Sequence, residues 1–81
     1  MKDYSKNKFV QRVRADYRMW INGEDELISY DEMPNDQLLN TIDLIEKKKI
    51  AFEEIIDEFE NKINEIIKFL DEERGIKYEK D

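Results

Sequence analysis

Closely spaced carboxylates in the second half of the chain are the first residues with potential for recognition chemistry. They are Glu53, Glu54, Asp57 and Glu58. Helical residues three and four positions apart lie on one face, so these side chains predict a negatively charged flank. Such a flank can imitate the phosphates of DNA and occupy the basic cleft of a nucleic-acid-binding protein. The alternative is a solvated helix face that carries ion pairs such as Glu58–Lys62.

Basic residues form a second candidate site, for an anion. They are Arg12, Arg14, Arg18, Lys48 and Lys49. Guanidinium and ammonium groups bind phosphate, so this set predicts a pocket between protomers for a phosphorylated small molecule such as a nucleotide signal. For Lys49 there are two alternatives. It either fixes the register of an oligomer or extends its ammonium group out of an apolar seam.

Aromatic residues form the third candidate site. Tyr17 and Trp20, with Met19 and Tyr30 nearby in the sequence, have the composition of a hot spot in a protein interface. The alternative is that these side chains pack in the core. The residues predicted to bind a partner are therefore Tyr17, Trp20 and the four carboxylates of the acidic flank.

The sequence offers little for catalysis. It contains no histidine and no cysteine, which removes the commonest general base and metal ligand and excludes disulfides and thiolate metal sites. No glycine-rich phosphate loop and no nucleophile–base pair is visible. We therefore expect a binding protein rather than an enzyme, with no cofactor and no metal.

Composition and charge define the class of protein. The 81 residues carry a net charge of −7 and predict one domain spanning residues 1–81. The first 18 residues have a net charge of +4 and the remainder −11, so we expect no direct binding to duplex DNA. No apolar run approaches the ~20 residues of a membrane span, and the chain does not begin with an apolar signal segment. We expect a cytoplasmic protein that does not associate with membranes.

A long amphipathic helix is the main predicted element. Apolar residues recur in heptad steps between Pro34, which suits a helix start, and Gly75, which suits a helix end, with one gap at Lys49. The pattern predicts a helix of about 38 residues within residues 34–74, about 57 Å long if uninterrupted. The residues predicted to form an oligomer core are Ile42, Ile45, Phe52, Ile56, Phe59, Ile63, Ile66 and Leu70.

The apolar stripe predicts self-association. Leu39, Ile55 and Ile67 widen the stripe beyond what a two-stranded coiled coil requires. Nothing in residues 1–33 is long enough to cover it, so the missing apolar surface must come from another copy or from a different protein. We expect a homo-oligomer, as a coiled coil or a helical bundle. The number of copies and their orientation stay open.

The first part of the chain predicts a β-hairpin over residues 14–30. Asn22-Gly23 favours a two-residue turn that places Tyr17 opposite Ile28. Residues 8–21 also fit a helical period, and the sequence leaves this choice open. Residues 1–13 form a basic segment and 75–81 a tail. The predicted fold is α+β, mostly α, with a hairpin packed on one long amphipathic helix.

Residues 17–45 resemble small bacteriophage-encoded accessory proteins. The shared pattern is Trp20, Gly23, Leu27-Ile28, Met33 and the helix start Gln37-Leu38-Leu39-Asn40-Thr41-Ile42. The phage proteins usually have histidine where this chain has Gln37, so no role of that imidazole carries over. The resemblance implies an accessory or inhibitory protein in the host cytoplasm that binds a host defence or nucleic-acid-processing protein stoichiometrically. The alternatives are the oligomeric binder of a phosphorylated small molecule and a purely structural oligomerisation module.

Overall fold

The computed structural model describes residues 3–79. In chain order its elements are helix α1 (Lys8–Val13), strand β1 (Met19–Ile21), strand β2 (Leu27–Ser29), a 3₁₀ turn (Tyr30–Glu32), helix α2 (Asn35–Lys49), a 3₁₀ segment (Ile50–Ile55) and helix α3 (Ile56–Arg74). The predicted fold class, α+β and mostly α with an N-terminal hairpin and a long helical stretch, is confirmed. Residues 1–2 of the predicted basic segment and 80–81 of the predicted tail lie outside the described residues.

The long helical stretch has the predicted extent but bends back on itself. Phe52, with φ −126° and ψ 50°, leaves the helical conformation between α2 and α3. The two helices then run antiparallel, so the end of α3 lies beside the start of α2. Arg74 there donates a 2.6 Å hydrogen bond to Asn35. The longest dimension is 40 Å, so the 57 Å expected for an uninterrupted helix is not reached.

The apolar stripe is buried within a single chain. Its fully buried members are Leu38, Ile42 and Ile45 on α2 and Phe59, Ile63, Ile66 and Leu70 on α3. Phe52 and Ile56 are half-buried, and the Phe52 ring stacks on Phe59 at 5.1 Å. The expectation that another copy or a different protein must cover the stripe is therefore wrong, because the bend lets α2 and α3 cover each other. Self-association stays a prediction without this support.

The hairpin forms with a different register. Trp20 pairs with Ile28, whereas the two-residue turn predicted Tyr17 opposite Ile28. The reason lies in a longer loop over residues 22–26, in which the Asn22 side chain accepts hydrogen bonds from the backbone N–H groups of Glu24 and Glu26 at 2.9 and 3.0 Å. These bonds stabilise the wider turn. The open choice over residues 8–21 resolves into helix α1 followed by strand β1.

The N-terminal third packs on α3. The ring of Phe9 on α1 lies 6.1 Å from Trp20 and 5.8 Å from Phe59. Tyr30 is fully buried and meets Phe69 edge to face at 5.5 Å. None of the helices within residues 3–79 combines the length and apolar character that crossing a membrane requires.

Candidate functional site

The predicted acidic flank lies where the chain turns between α2 and α3. Glu53, Glu54 and Asp57 are exposed there, and Glu60, one turn after Asp57 on α3, is exposed as well. Among the described residues, Glu53 and Asp57 form no ion pair. We call these four carboxylates, Glu53, Glu54, Asp57 and Glu60, the acidic tip.

Glu58, the remaining member of the predicted flank, forms an ion pair within the chain. Arg14 donates two hydrogen bonds to its carboxylate, at 2.7 and 3.1 Å. These bonds, together with the positive charge of Arg14, hold the pKa of Glu58 below its ordinary value. The bidentate pair instead fastens the segment after α1 to the start of α3.

An exposed apolar residue lies beside the acidic tip. Ile50, the first residue after α2, is 70 % exposed. A shallow cavity of about 210 Å³ separates it from Tyr4, with Ala51, Glu53 and Glu54 also in the wall. The Tyr4 hydroxyl donates to Glu54 at 3.3 Å. The tip thus combines an apolar contact surface with a negative rim, which is an arrangement common in protein interfaces.

The cations predicted to bind an anion do not meet in one pocket of the chain. Arg14 contacts Glu58 near the start of α3, whereas Arg18 contacts Glu72 near its end, at 3.5 Å. Glu58 and Glu72 lie about 21 Å apart along the helix at 1.5 Å per residue. Lys49 pairs with Glu46 on its own helix, at 3.0 Å.

The two remaining members of the predicted anion site also have separate surroundings. The Lys48 ammonium group lies 5.7 Å from the centre of the Phe9 ring. Arg12 is half-buried, and its Nε has no hydrogen-bond partner in the described part of the chain. Within one chain, Arg14, Arg18, Lys48 and Lys49 therefore each contact a different residue and do not meet at a common site.

The predicted aromatic patch is divided between the core and the surface. Trp20 is only 4 % exposed and Tyr30 is fully buried, so the alternative of core packing holds for both. Tyr17 is 69 % exposed, with the Arg18 guanidinium 5.3 Å from its ring centre. Trp20 therefore cannot contact a partner while the protein is folded, and Tyr17 can.

A buried ionic cluster is the feature that sequence reasoning missed. Lys62 is only 4 % exposed and does not pair with Glu58. Its Nζ donates to the carbonyl oxygens of Ala15 and Asp16 and to Glu65 Oε1, each at 3.1 Å. Three donors thus meet three acceptors, so the cluster leaves no open site for a ligand.

The same cluster holds the backbone before β1 in an unusual conformation. Arg18 has φ 59°, and its N–H donates to Glu65 Oε1 at 2.8 Å. Burial, with the negative charge of Glu65 acting in the same direction, raises the pKa of Tyr30. The one available signal was the position of Lys62 next to Ile63 and three residues after Phe59, both on the apolar stripe.

Within the described residues, no three acidic side chains are grouped closely enough to hold a metal ion.

Comparison with known proteins adds no relative. The chain matches no protein-family model, and no curated protein and no solved structure resembles it significantly. The resemblance to phage accessory proteins stays a prediction.

Proposed function

We propose that this chain is a small accessory or inhibitory protein of the kind that bacteriophages encode, and that it binds a host protein stoichiometrically through the acidic tip. The partner is a nucleic-acid-binding protein whose basic cleft accepts the tip in place of DNA. The observation that carries the proposal is the cavity that brings the exposed Glu53 and Glu54 beside the exposed Ile50, with Asp57 and Glu60 exposed at the start of α3.

The charge of the protein and the exposed apolar surface of Ile50 both support this assignment. A net charge of −7 repels nucleic acid and increases the rate of encounter with basic surfaces. No described cation pairs with Glu53 or Asp57, so both carboxylates can contact a partner's cations. Ile50 supplies apolar contact area that the partner would bury, which adds affinity that is independent of salt.

The test compares two variants that lose the same number of charges. The tip variant carries Glu53→Gln, Glu54→Gln, Asp57→Asn and Glu60→Gln. The control variant carries Glu24→Gln, Glu32→Gln, Asp71→Asn and Glu79→Gln, all at exposed positions. Each protein is immobilised and exposed to a bacterial lysate at about 50 mM and about 200 mM salt, a range over which phosphate-type contacts weaken strongly.

We expect the wild type and the control variant to retain the same host nucleic-acid-binding protein, and the tip variant to lose it. Added duplex DNA should displace that protein from the wild type, because both occupy one cleft. Retention by the tip variant, or retention that duplex DNA does not affect, would contradict the proposal.

A further inference from the structure

A groove of about 370 Å³ lies between α3 and the C-terminal segment, away from the acidic tip. Its walls are formed by Asn64, Ile67, Lys68 and Asp71 on one face of α3 and by Lys77 and Tyr78 opposite. This volume falls at the lower end of the range typical of small-molecule sites, about 300–1,000 Å³.

The second wall of the groove is fixed in place. Gly75 adopts the left-handed conformation, with φ 64°, and the Ile76 N–H donates to the Leu70 carbonyl at 2.9 Å, which ends α3 and reverses the chain. The Tyr78 hydroxyl then donates to Asp43 on α2 at 3.3 Å. Ile76 and Tyr78 also pack against the core. The groove is therefore formed before any ligand arrives.

Two lysines line the groove. Lys68 and Lys77 are exposed, and neither forms an ion pair with a described residue. The exposed Lys6, Lys47 and Lys48 also form no ion pair within residues 3–79, but they do not line the groove. Asp71 is the one carboxylate among the residues that line the groove, so its walls carry two positive charges and one negative charge on a protein that is strongly negative.

The groove also offers apolar surface and a hydrogen-bonding group. Ile67 is half-buried and packs against the core, as does Tyr78. The amide side chain of Asn64 lies on the same face of α3, one turn before Lys68. A flat ring could contact Ile67 and Tyr78 while an anionic group reaches both ammonium groups.

We propose that this groove binds a small organic anion that joins an aromatic ring to a phosphate. The ring lies on Ile67 and Tyr78, and the phosphate contacts Lys68 and Lys77, where two charge-assisted contacts outweigh the repulsion from Asp71. The proposal shares no residue with the acidic tip, so either one can fail without the other.

Phenyl phosphate is the probe, titrated into uniformly ¹⁵N-labelled protein and followed by two-dimensional NMR. We expect saturable shifts confined to the amides of residues 64–71 and 75–79. Inorganic phosphate, which lacks the ring, should bind at least tenfold more weakly. Lys68→Gln with Lys77→Gln should also weaken phenyl phosphate binding at least tenfold.

A matched control distinguishes a site from general charge. Lys6→Gln with Lys47→Gln removes two exposed lysines outside the groove and should leave binding unchanged. Equal weakening by both pairs would overturn the proposal, as would the absence of saturable shifts up to about 10 mM phenyl phosphate, ten times a millimolar dissociation constant.

Discussion

Lys62 provides the sharpest test of how this fold is held together. We predict that Lys62→Met destabilises the protein by about 3 kcal/mol, although methionine fills a similar volume. The change removes all three hydrogen bonds of the ammonium group and leaves two carbonyl oxygens and Glu65 without them. Breaking a buried ion pair on one side costs about 3–5 kcal/mol. Glu65 retains 19 % side-chain exposure and its bond from Arg18, which places the expected cost at the lower end.

This loss is large for a protein of this size. At roughly 0.05–0.15 kcal/mol per residue, the whole chain would have a free energy of unfolding of about 4–12 kcal/mol. A loss of about 3 kcal/mol corresponds to a melting temperature lower by about 12–24 °C, at about 4–8 °C per kcal/mol. Urea denaturation followed by the fluorescence of the single tryptophan, Trp20, measures it directly, because this ring is buried only in the folded state.

Two further variants separate the ionic cluster from the loss of a lysine. Lys68→Met changes an exposed lysine on the same helix and should alter stability by no more than about 0.5 kcal/mol. Adding Glu65→Gln to Lys62→Met should cost less than the sum of the two single changes, because the unpaired carboxylate is then absent. A cost below about 1 kcal/mol for Lys62→Met, or strict additivity, would refute the reasoning.

Three more predictions follow from burial, pKa and backbone conformation. Ile63→Asp should unfold the chain, since it places a charge at a fully buried position; circular dichroism would show the loss of helix, and a helical variant would contradict this packing. Glu58→Gln should lower stability by up to about 1 kcal/mol above the pH of the unfolded carboxyl, whose pKa is near 4.5. Because folding lowers the pKa of Glu58, the stability difference between wild type and variant should fade as the pH falls through the pKa of the folded state. Urea denaturation at several pH values would show this, and a stability difference that grows in acid would refute the predicted direction. Gly75→Ala should cost about 1 kcal/mol, because alanine in the left-handed conformation is strained although its Cβ meets no atom within 4 Å; an unchanged melting temperature would show that the helix end relaxes freely.

The ends of the helical stretch could be predicted, and its bend could not. Pro34 and Gly75 bracket α2 and α3 as expected, because each residue type favours its position. A heptad pattern in the sequence is the same whether the apolar stripe packs against another chain or against a second helix of the same chain. The 3₁₀ segment Ile50–Ile55 contains no glycine and no proline to mark a turn. The one trace of the bend was the gap in the stripe at Lys49, the last residue of α2.

The exposed carboxylates of the candidate site could be predicted from the sequence, but the ion pairs between distant residues could not. Glu53, Glu54 and Asp57 lie on the surface, as their types indicate. Glu58 pairs with Arg14, which lies 44 positions away in the sequence. The spacing of neighbouring residues cannot reveal a contact over that distance. The burial of Lys62 could not be predicted for the same reason. A lysine near an apolar stripe usually extends into water, and Lys62 is buried because its ammonium group donates to carbonyl oxygens far away in the sequence.

The contacts of Lys62 also bear on the order in which we expect the chain to fold. Helices α2 and α3 meet across a short connection, whereas Lys62 joins Ala15 across 47 residues. Closing the longer loop costs more entropy, so we expect the helical pair to form before the N-terminal third docks. During synthesis, which proceeds from the N-terminus, Phe9, Val10 and Trp20 must wait until α3 has left the ribosome before they find their packing surface. The nascent chain therefore exposes its apolar N-terminal residues until most of the sequence has been made.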